Sequence, residues 1–326
     1  NGLNDKTTMN KQKTSTHLLA LFAATATLVL AACSSEEKQN GTIPTNNVSI
    51  NFSLYSNSYS RANDGGTATT AATLSENGFT TLAIYQADED TEEEVYFFQN
   101  ITPKTTNGNT SFQSSYYWPL QGSMKFYAVY PLSGGSEGIT LNNSATDIKL
   151  GAWTCPGSVD VVAATTATFT CPVSTATLPS FPNIPLSFKH LLANVSFKFV
   201  PSDKNPDLTY KIKSFTIKAL GNAAGYDFSN EKWDMTGATE TTYIFIDEEV
   251  SFKGNETYDC PTTLFMLPQS GTRTISISME IYNKDILIDK RTTEVSLGSN
   301  YPWTKGIKTN TNFTLYPQNN IGFTVD

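Results

Sequence analysis

Histidine is nearly missing from this chain, with only His17 and His190 among 326 residues. Charge is scarce as well. Asp, Glu, Lys and Arg make up 16% of the sequence, against about 25% in ordinary soluble domains. Past residue 32 there are three arginines, Arg61, Arg273 and Arg291. Cys occurs four times, never as a C-x-x-C pair. One imidazole past residue 32 and scattered thiols exclude a zinc centre of ordinary composition. No P-loop, H-E-x-x-H or G-x-G-x-x-G is present, so the phosphate-cradling and zincin chemistries lack their usual frames. Basic excess is absent too. The net charge is −8. Setting aside residues 1–32, with Lys6, Lys11, Lys13 and Asp5, leaves 19 basic and 29 acidic groups, or −10. Such a chain repels phosphate backbones, which excludes a nucleic-acid-binding role.

Long apolar runs are also lacking, with one exception near the start. Leu18–Ala32 is apolar over about 15 residues, shorter than the ~20 a spanning helix needs. Lys11 and Lys13 precede it and Cys33 follows Leu30-Ala31-Ala32. Basic n-region, apolar h-region and small residues before a Cys read as a signal peptide ending in a bacterial lipobox. Met9 is the expected start, with residues 1–8 an upstream extension. The alternative is an ordinary signal peptide with an incidental Cys. The lipobox predicts diacylation of the Cys33 sulfur, cleavage before it and acylation of the new amine. Each buried CH₂ contributes about 0.8 kcal/mol, so two or three acyl chains hold a protein at a membrane where one does not. Ser34-Ser35-Glu36-Glu37 and the polar residues after it read as a tether.

What the chain has in quantity is aromatic and β-branched residues, with aromatics at 12%. That composition favours strands, and the length favours two domains. Period-2 alternation recurs between Gly, Asn and Pro punctuation. Val48, Ile50, Phe52 and Leu54 alternate in the first expected strand. Further strands are expected at Thr80–Gln86, Val95–Ile101, Ser123–Tyr130, Val159–Ala164, Leu186–Val200, Thr209–Leu220, Thr241–Ser251, Thr262–Leu267, Thr272–Tyr282, Ile286–Val295, Thr309–Tyr316 and Ile321–Val325. Asn77-Gly78 and Asn107-Gly108 are turn signals, and Asn283-Lys284-Asp285 reads as a hairpin loop. No helical period extends over 11 residues. The expected fold class is all-β, as β-sandwiches. Leu178–Pro185 holds three prolines and reads as a linker. The organisation expected is therefore 1–32 extension and signal, 33–46 lipidated tether, 47–182 a first sandwich and 183–326 a second.

Several features imitate functional sites. Gly134-Gly135-Ser136-Glu137-Gly138 matches G-x-S-x-G. A hydrolase elbow joins a strand to a helix, whereas the residues after Gly138 are rich in Asn, Thr and Ser; a glycine-rich turn is the reading preferred over a Ser136 nucleophile. The acidic run Asp88–Glu94 lacks the glycine of a calcium loop and reads as a solvated hairpin loop. His190, flanked by Phe188 and Leu191, reads as a hydrogen-bonded structural residue. Cys155, Cys171 and Cys260 remain beyond Cys33. A Cys155–Cys171 bridge would contribute about 3 kcal/mol, and nothing in the sequence requires it. No catalytic residue, metal or cofactor is expected.

Separated stretches resemble the fimbrillin family, the subunits of type V pili. Trp118-Pro119 with Met124–Pro131 is similar to the family's "WP…v-x-FyAyyP". Asp160–Ala164 resembles its "D-(I/L/V)-(L/V)-x-A" strand, and Ile184–Val195 its "pL-x-F-x-H-x-x-A-x-v". Leu267-Pro268-Gln269 resembles "LPQ", and Trp303-Thr304-Lys305-Gly306 the late "W-x-x-G". The likeness covers most of 48–326 in family order. One departure is that Thr309–Phe313 stands where the family has a Tyr-rich strand.

The resemblance implies two transthyretin-like sandwiches and polymerisation by strand exchange. Cleavage after Arg61, before Ala62, would release the lipidated segment with the displaced strand Val48, Ile50, Phe52 and Leu54. Arg61 lies in a Gly/Ala/Thr-rich segment where nicking is expected, whereas Arg273 and Arg291 fall in or beside expected strands. The opened groove would accept a partner's C-terminal strand, for which Ile321, Phe323 and Val325 are the candidates here. The resemblance thus implies a fimbrial structural or accessory subunit serving cell adhesion. Its partners would be other subunits, the outer membrane through lipid, and a host or bacterial surface receptor. The alternative is a monomeric surface lipoprotein binding glycan or host protein, with Tyr116, Tyr117 and Trp118 as its aromatic candidates.

Overall fold

The computed structural model describes residues 43–57, 69–87, 94–106, 109–112, 116–131, 141–144, 147–171, 183–317 and 321–325. They belong to one unit, Lys38–Asp326, and are nearly all β, as the alternation predicts. The one helix among them, Ala71–Asn77, is seven residues long. Thr70 caps its start, the hydroxyl accepting from the Thr73 N–H at 3.2 Å. Gly78 ends it at φ +76°, a left-handed conformation that costs glycine nothing. Asn77-Gly78 therefore closes a helix rather than a hairpin.

The largest sheet has nine strands. In spatial order they are Glu94–Ile101, Thr80–Gln86, Ser123–Tyr130, Val162–Thr165, Ile184–His190, Asn51–Ser56, Asn109–Ser111 and Lys104–Thr106, with Phe169–Thr170 also on Ser123–Tyr130. All its pairs are antiparallel except one: Asn51–Ser56 runs parallel to Ile184–His190. A hydrophobic cluster centred on Phe52, Phe98, Phe126, Ile184 and Phe188 packs on this sheet.

Two five-stranded sheets follow. In one, Ala193–Pro201 lies between Tyr258–Asp259 with Leu264–Met266 on one side and the parallel strand Lys308–Leu315 on the other, which in turn carries Ile321–Val325. In the other the order is Glu240–Ile246, Leu208–Leu220, Arg273–Asn283, Ile286–Leu297. Their inner faces share a core of Phe197, Phe199, Phe215, Ile275, Ile277 and Phe313 among others. Smaller pairings join distant sequence: Asp147–Leu150 with Gly225–Asp227, and Trp153–Thr154 with Asn222–Ala223. Here Trp153 stacks on Trp233 at 5.7 Å inside a third cluster.

Three expected strands are each two. Leu186–Val200 breaks at Leu191-Leu192, where the chain leaves the first sheet at His190 and enters another at Ala193. Both leucines are buried, so apolar patterning continues across the break. The backbone groups there bond elsewhere: the Leu191 N–H donates to Val161 at 2.8 Å, the Leu192 carbonyl accepts from Gly306 at 2.9 Å, and the Leu191 carbonyl accepts from Trp233 Nε1 at 2.7 Å. Thr241–Ser251 divides at Asp247-Glu248-Glu249 into Glu240–Ile246 and Val250–Lys253, both on Leu208–Leu220. The first strand divides at Ile50. By hydrogen bonding, Ile184–His190 completes the first sheet. The chain thus passes from the first sheet to the next at residues 191–192.

Candidate functional site

The alternating segment near the start is threaded into the interior. Thr45–Ser49 pairs with Tyr117–Pro119. After Ile50, whose N–H donates to Tyr116 at 2.8 Å, Asn51–Ser56 inserts between Ile184–His190 and Asn109–Ser111. Ile50 and Phe52 are each 1% exposed, and Val48 and Leu54 pack against the same core. The Phe52 ring meets Phe112 and Phe126 edge-on at 5.4 and 5.8 Å. The alternation thus survives the change of partner at Ile50, because side-chain direction follows the period of two.

Past Ser56 the chain enters residues 58–68, which hold Arg61 and Ala62 and lie outside the described residues. The two flanks of that stretch touch: Ser56 Oγ donates to the Thr69 carbonyl at 2.8 Å. The Thr69 N–H donates to Asp160 Oδ2 at 3.0 Å, and the same oxygen lies 2.8 Å from His190 Nδ1. Asp160 and His190 are both buried. His190, read from sequence as structural, thus closes a chain of contacts anchoring Thr69.

The candidate donor strand sits at the other extreme. Ile321–Val325 pairs antiparallel with Lys308–Leu315, from Leu315 opposite Ile321 to Thr311 opposite Val325, and ends the sheet order. Ile321, Phe323 and Val325 occupy alternate positions along it. Gly322 lies under Tyr316: a Cβ there would stand 3.3 Å from the ring. Arg291 Nη2 donates to the Tyr316 carbonyl at 2.6 Å, and Nη1 to Asp289 at 2.6 Å.

Other sequence candidates are placed as follows. Trp118 is 3% exposed, edge-on to Phe126 and Phe169, and half-buried Tyr116 packs against the same core, so these two form core rather than a stacking platform; Tyr117 is half-buried. Cys155, Cys171 and Cys260 are buried and unbridged. Burial pushes their thiols up, to about 11 for Cys155 and about 12 for the other two, which suppresses the reactive thiolate. Cys33, Ser136 and Asp88–Glu93 lie outside the described residues. Among the described residues no group of three His, Cys, Asp or Glu gathers as a metal site, and no helix is long and apolar enough to cross a membrane.

Sequence reasoning missed one convergence. Leu267-Pro268-Gln269 and Trp303–Gly306 meet: Gln269 and Trp303 exchange both backbone hydrogen bonds, at 3.0 and 2.9 Å. Gln269 Oε1 accepts the Leu220 N–H at 3.0 Å. Arg273, fully buried, lies 4.7 Å over the Trp303 ring and donates to the carbonyls of Gln269, Gly298 and Tyr301 at 2.8, 3.2 and 2.5 Å. A family model described as fimbrillin-like matches residues 60–326. The chain belongs to the fimbrillin-like family.

Within this fimbrillin-like fold the convergence acquires a context, since the matched span takes in the Asp160–His190 pair, the Gln269–Trp303 bridge and the last strand. Solved structures similar to this chain include a candidate cell adhesion protein from Bacteroides ovatus, 14% identical, covering 85% of this chain and 95% of that one at a TM-score of 0.48. Another is a candidate cell adhesion protein from Bacteroides uniformis, 13% identical, covering 85% and 98% at 0.42. A third is a fimbrial assembly protein from Parabacteroides distasonis, 12% identical, covering 86% and 96% at 0.41. No curated protein matches the sequence.

Proposed function

We propose that this fimbrillin-like chain is a fimbrial subunit that exchanges strands. On this reading it is exported as a lipoprotein on Cys33 to the outer surface and cut between Arg61 and Ala62. It then polymerises when a partner's last strand replaces Asn51–Ser56. The observation that carries the reading is the place of that segment: an interior strand whose downstream end runs straight into the Arg61 stretch. A single cut would free it from the rest of the chain. Its withdrawal would expose the pockets of Ile50 and Phe52, each worth about 1.5–3 kcal/mol of apolar burial. It would also leave the main-chain groups of Ile184–His190 without their neighbour. An extended strand with apolar residues at alternate positions restores both. Ile321, Phe323 and Val325 have that spacing, in a strand bonded along one side. Adhesion and receptor binding would follow from display of the polymer.

N-terminal sequencing and intact mass of the protein from its native cell surface test this. A delipidated chain beginning at Ala62 is expected. A triacylated chain beginning at Cys33 would instead make it an anchoring or monomeric lipoprotein. Arg61→Ala is expected to block maturation, and normal polymer from that variant would sink the cleavage step. Deletion of Ile321–Asp326 is expected to leave folded subunits that do not chain end to end; open-ended chains from that truncation would refute the donor role.

A further inference from the structure

The strand Ile286–Leu297 is the outermost of its sheet. Its inner side is paired with Arg273–Asn283, with a bulge at Ile288 where the register shifts between Asp289 and Leu287; along its outer edge it has no strand partner among the described residues. At 12 residues it is a long edge, and its first three residues are apolar and open: Ile286, Leu287 and Ile288 are 72%, 46% and 49% exposed. Long edges with exposed apolar residues are templates for pairing with another chain. Beyond Ile288 the outward-facing residues are Lys290, Thr292, Glu294 and Ser296, all exposed, while the alternate residues are half-buried or buried.

We propose that this edge pairs with the same edge of a second copy, antiparallel about a two-fold axis at Thr292. Among centres on the solvent-facing residues, the charges favour that register. Centred on Thr292, Lys290 of each copy stands opposite Glu294 of the other, so two opposite-charge pairs form, and Thr292 faces Thr292. Both kinds of cross-strand pair are favourable. The regular stretch from Asp289 to Val295 carries the pairing, and the bulge at Ile288 ends it before the open apolar residues 286–288. Centring on Lys290 or on Glu294 would set like charges face to face. Centring between two residues would make the core-facing side of one copy continuous with the solvent side of the other, which the sandwich forbids. The contact is isologous and closes at two copies. It is separate from strand exchange, which runs head to tail and uses neither edge residue, so it provides lateral pairing of subunits or of whole polymers.

Sedimentation equilibrium of the purified chain, and of the chain lacking Ile321–Asp326, should both give a concentration-dependent dimer and nothing larger. Glu294→Lys or Lys290→Glu sets like charges opposite each other twice and should weaken it about tenfold, from two reversed cross-strand pairs. The double exchange Lys290→Glu/Glu294→Lys should restore it. Because Lys290 also pairs with Glu280 at 3.0 Å, circular dichroism must show each variant folded. Independently of charge, Thr292→Cys should form a disulfide-linked dimer under mild oxidation, while Ser296→Cys should not. A monomer at every concentration, a dimer indifferent to charge reversal, open-ended ladders in the truncated chain, or equal cross-linking at both cysteine positions would each overturn the proposal.

Discussion

His190 Nδ1 lies 2.8 Å from Asp160 Oδ2, and that oxygen also accepts the backbone N–H of Thr69 at 3.0 Å. Asp160→Asn preserves the shape but replaces a charged acceptor with a neutral amide. Hydrogen bonds to charged groups contribute about 1.5–3 kcal/mol, so a stability loss of that order is expected in urea unfolding. Hydrogen exchange should speed up first at Thr69 and its neighbours. Unchanged protection there would remove the anchoring role.

Phe52 separates the intact chain from the strand-exchanged one. Its ring fills the core in the uncut chain, so Phe52→Ala should lower stability by about 3–5 kcal/mol. If the segment leaves on maturation, polymer assembled from that variant should melt like wild type. A polymer weakened as much as the monomer would mean the strand stays in place.

Arg273 bonds three carbonyls and covers Trp303. Arg273→Met leaves those carbonyls short of donors, and each buried loss costs about 1–3 kcal/mol. Arg273→Lys keeps the charge but not the planar fork, so it should recover only part of the loss. Calorimetry gives the ranking, and Trp303 fluorescence reports the local change. Full recovery by Lys would show that charge alone suffices.

Glu280 sets an acid limit. Hydrogen bonds from Lys290, then Tyr282 and Lys213, hold its carboxyl down at about 2, below the ~4.3 of an unfolded glutamate. A depressed folded value means the stabilisation is complete above the unfolded value and is lost as pH falls through the folded one. Wild type should therefore lose stability relative to Glu280→Gln between pH ~4.3 and ~2. Parallel curves across that window would exclude the contribution.

Much of this protein was legible along the chain because strand alternation is local. Each residue's face follows from its own position, so Thr80–Gln86, Ser123–Tyr130 and Ile321–Val325 stand where the pattern put them. Family membership was legible too, since its motifs are short and ordered. The break at Leu191-Leu192 was not, because the apolar run Leu191-Leu192-Ala193 bridges it and masks the switch of inward positions from even (Leu186, Phe188, His190) to odd (Val195, Phe197, Phe199). Nor was the parallel seat of Asn51–Ser56 beside Ile184–His190, a pairing of segments more than a hundred residues apart. Nothing in Arg273's neighbourhood of Thr and Ser signals a buried cation; three carbonyls and an indole from other loops make that burial tolerable. The sequence by itself determined which faces must be hidden. Only the tertiary structure decided which distant strands and carbonyls hide them, because backbone hydrogen bonds carry no side-chain signature.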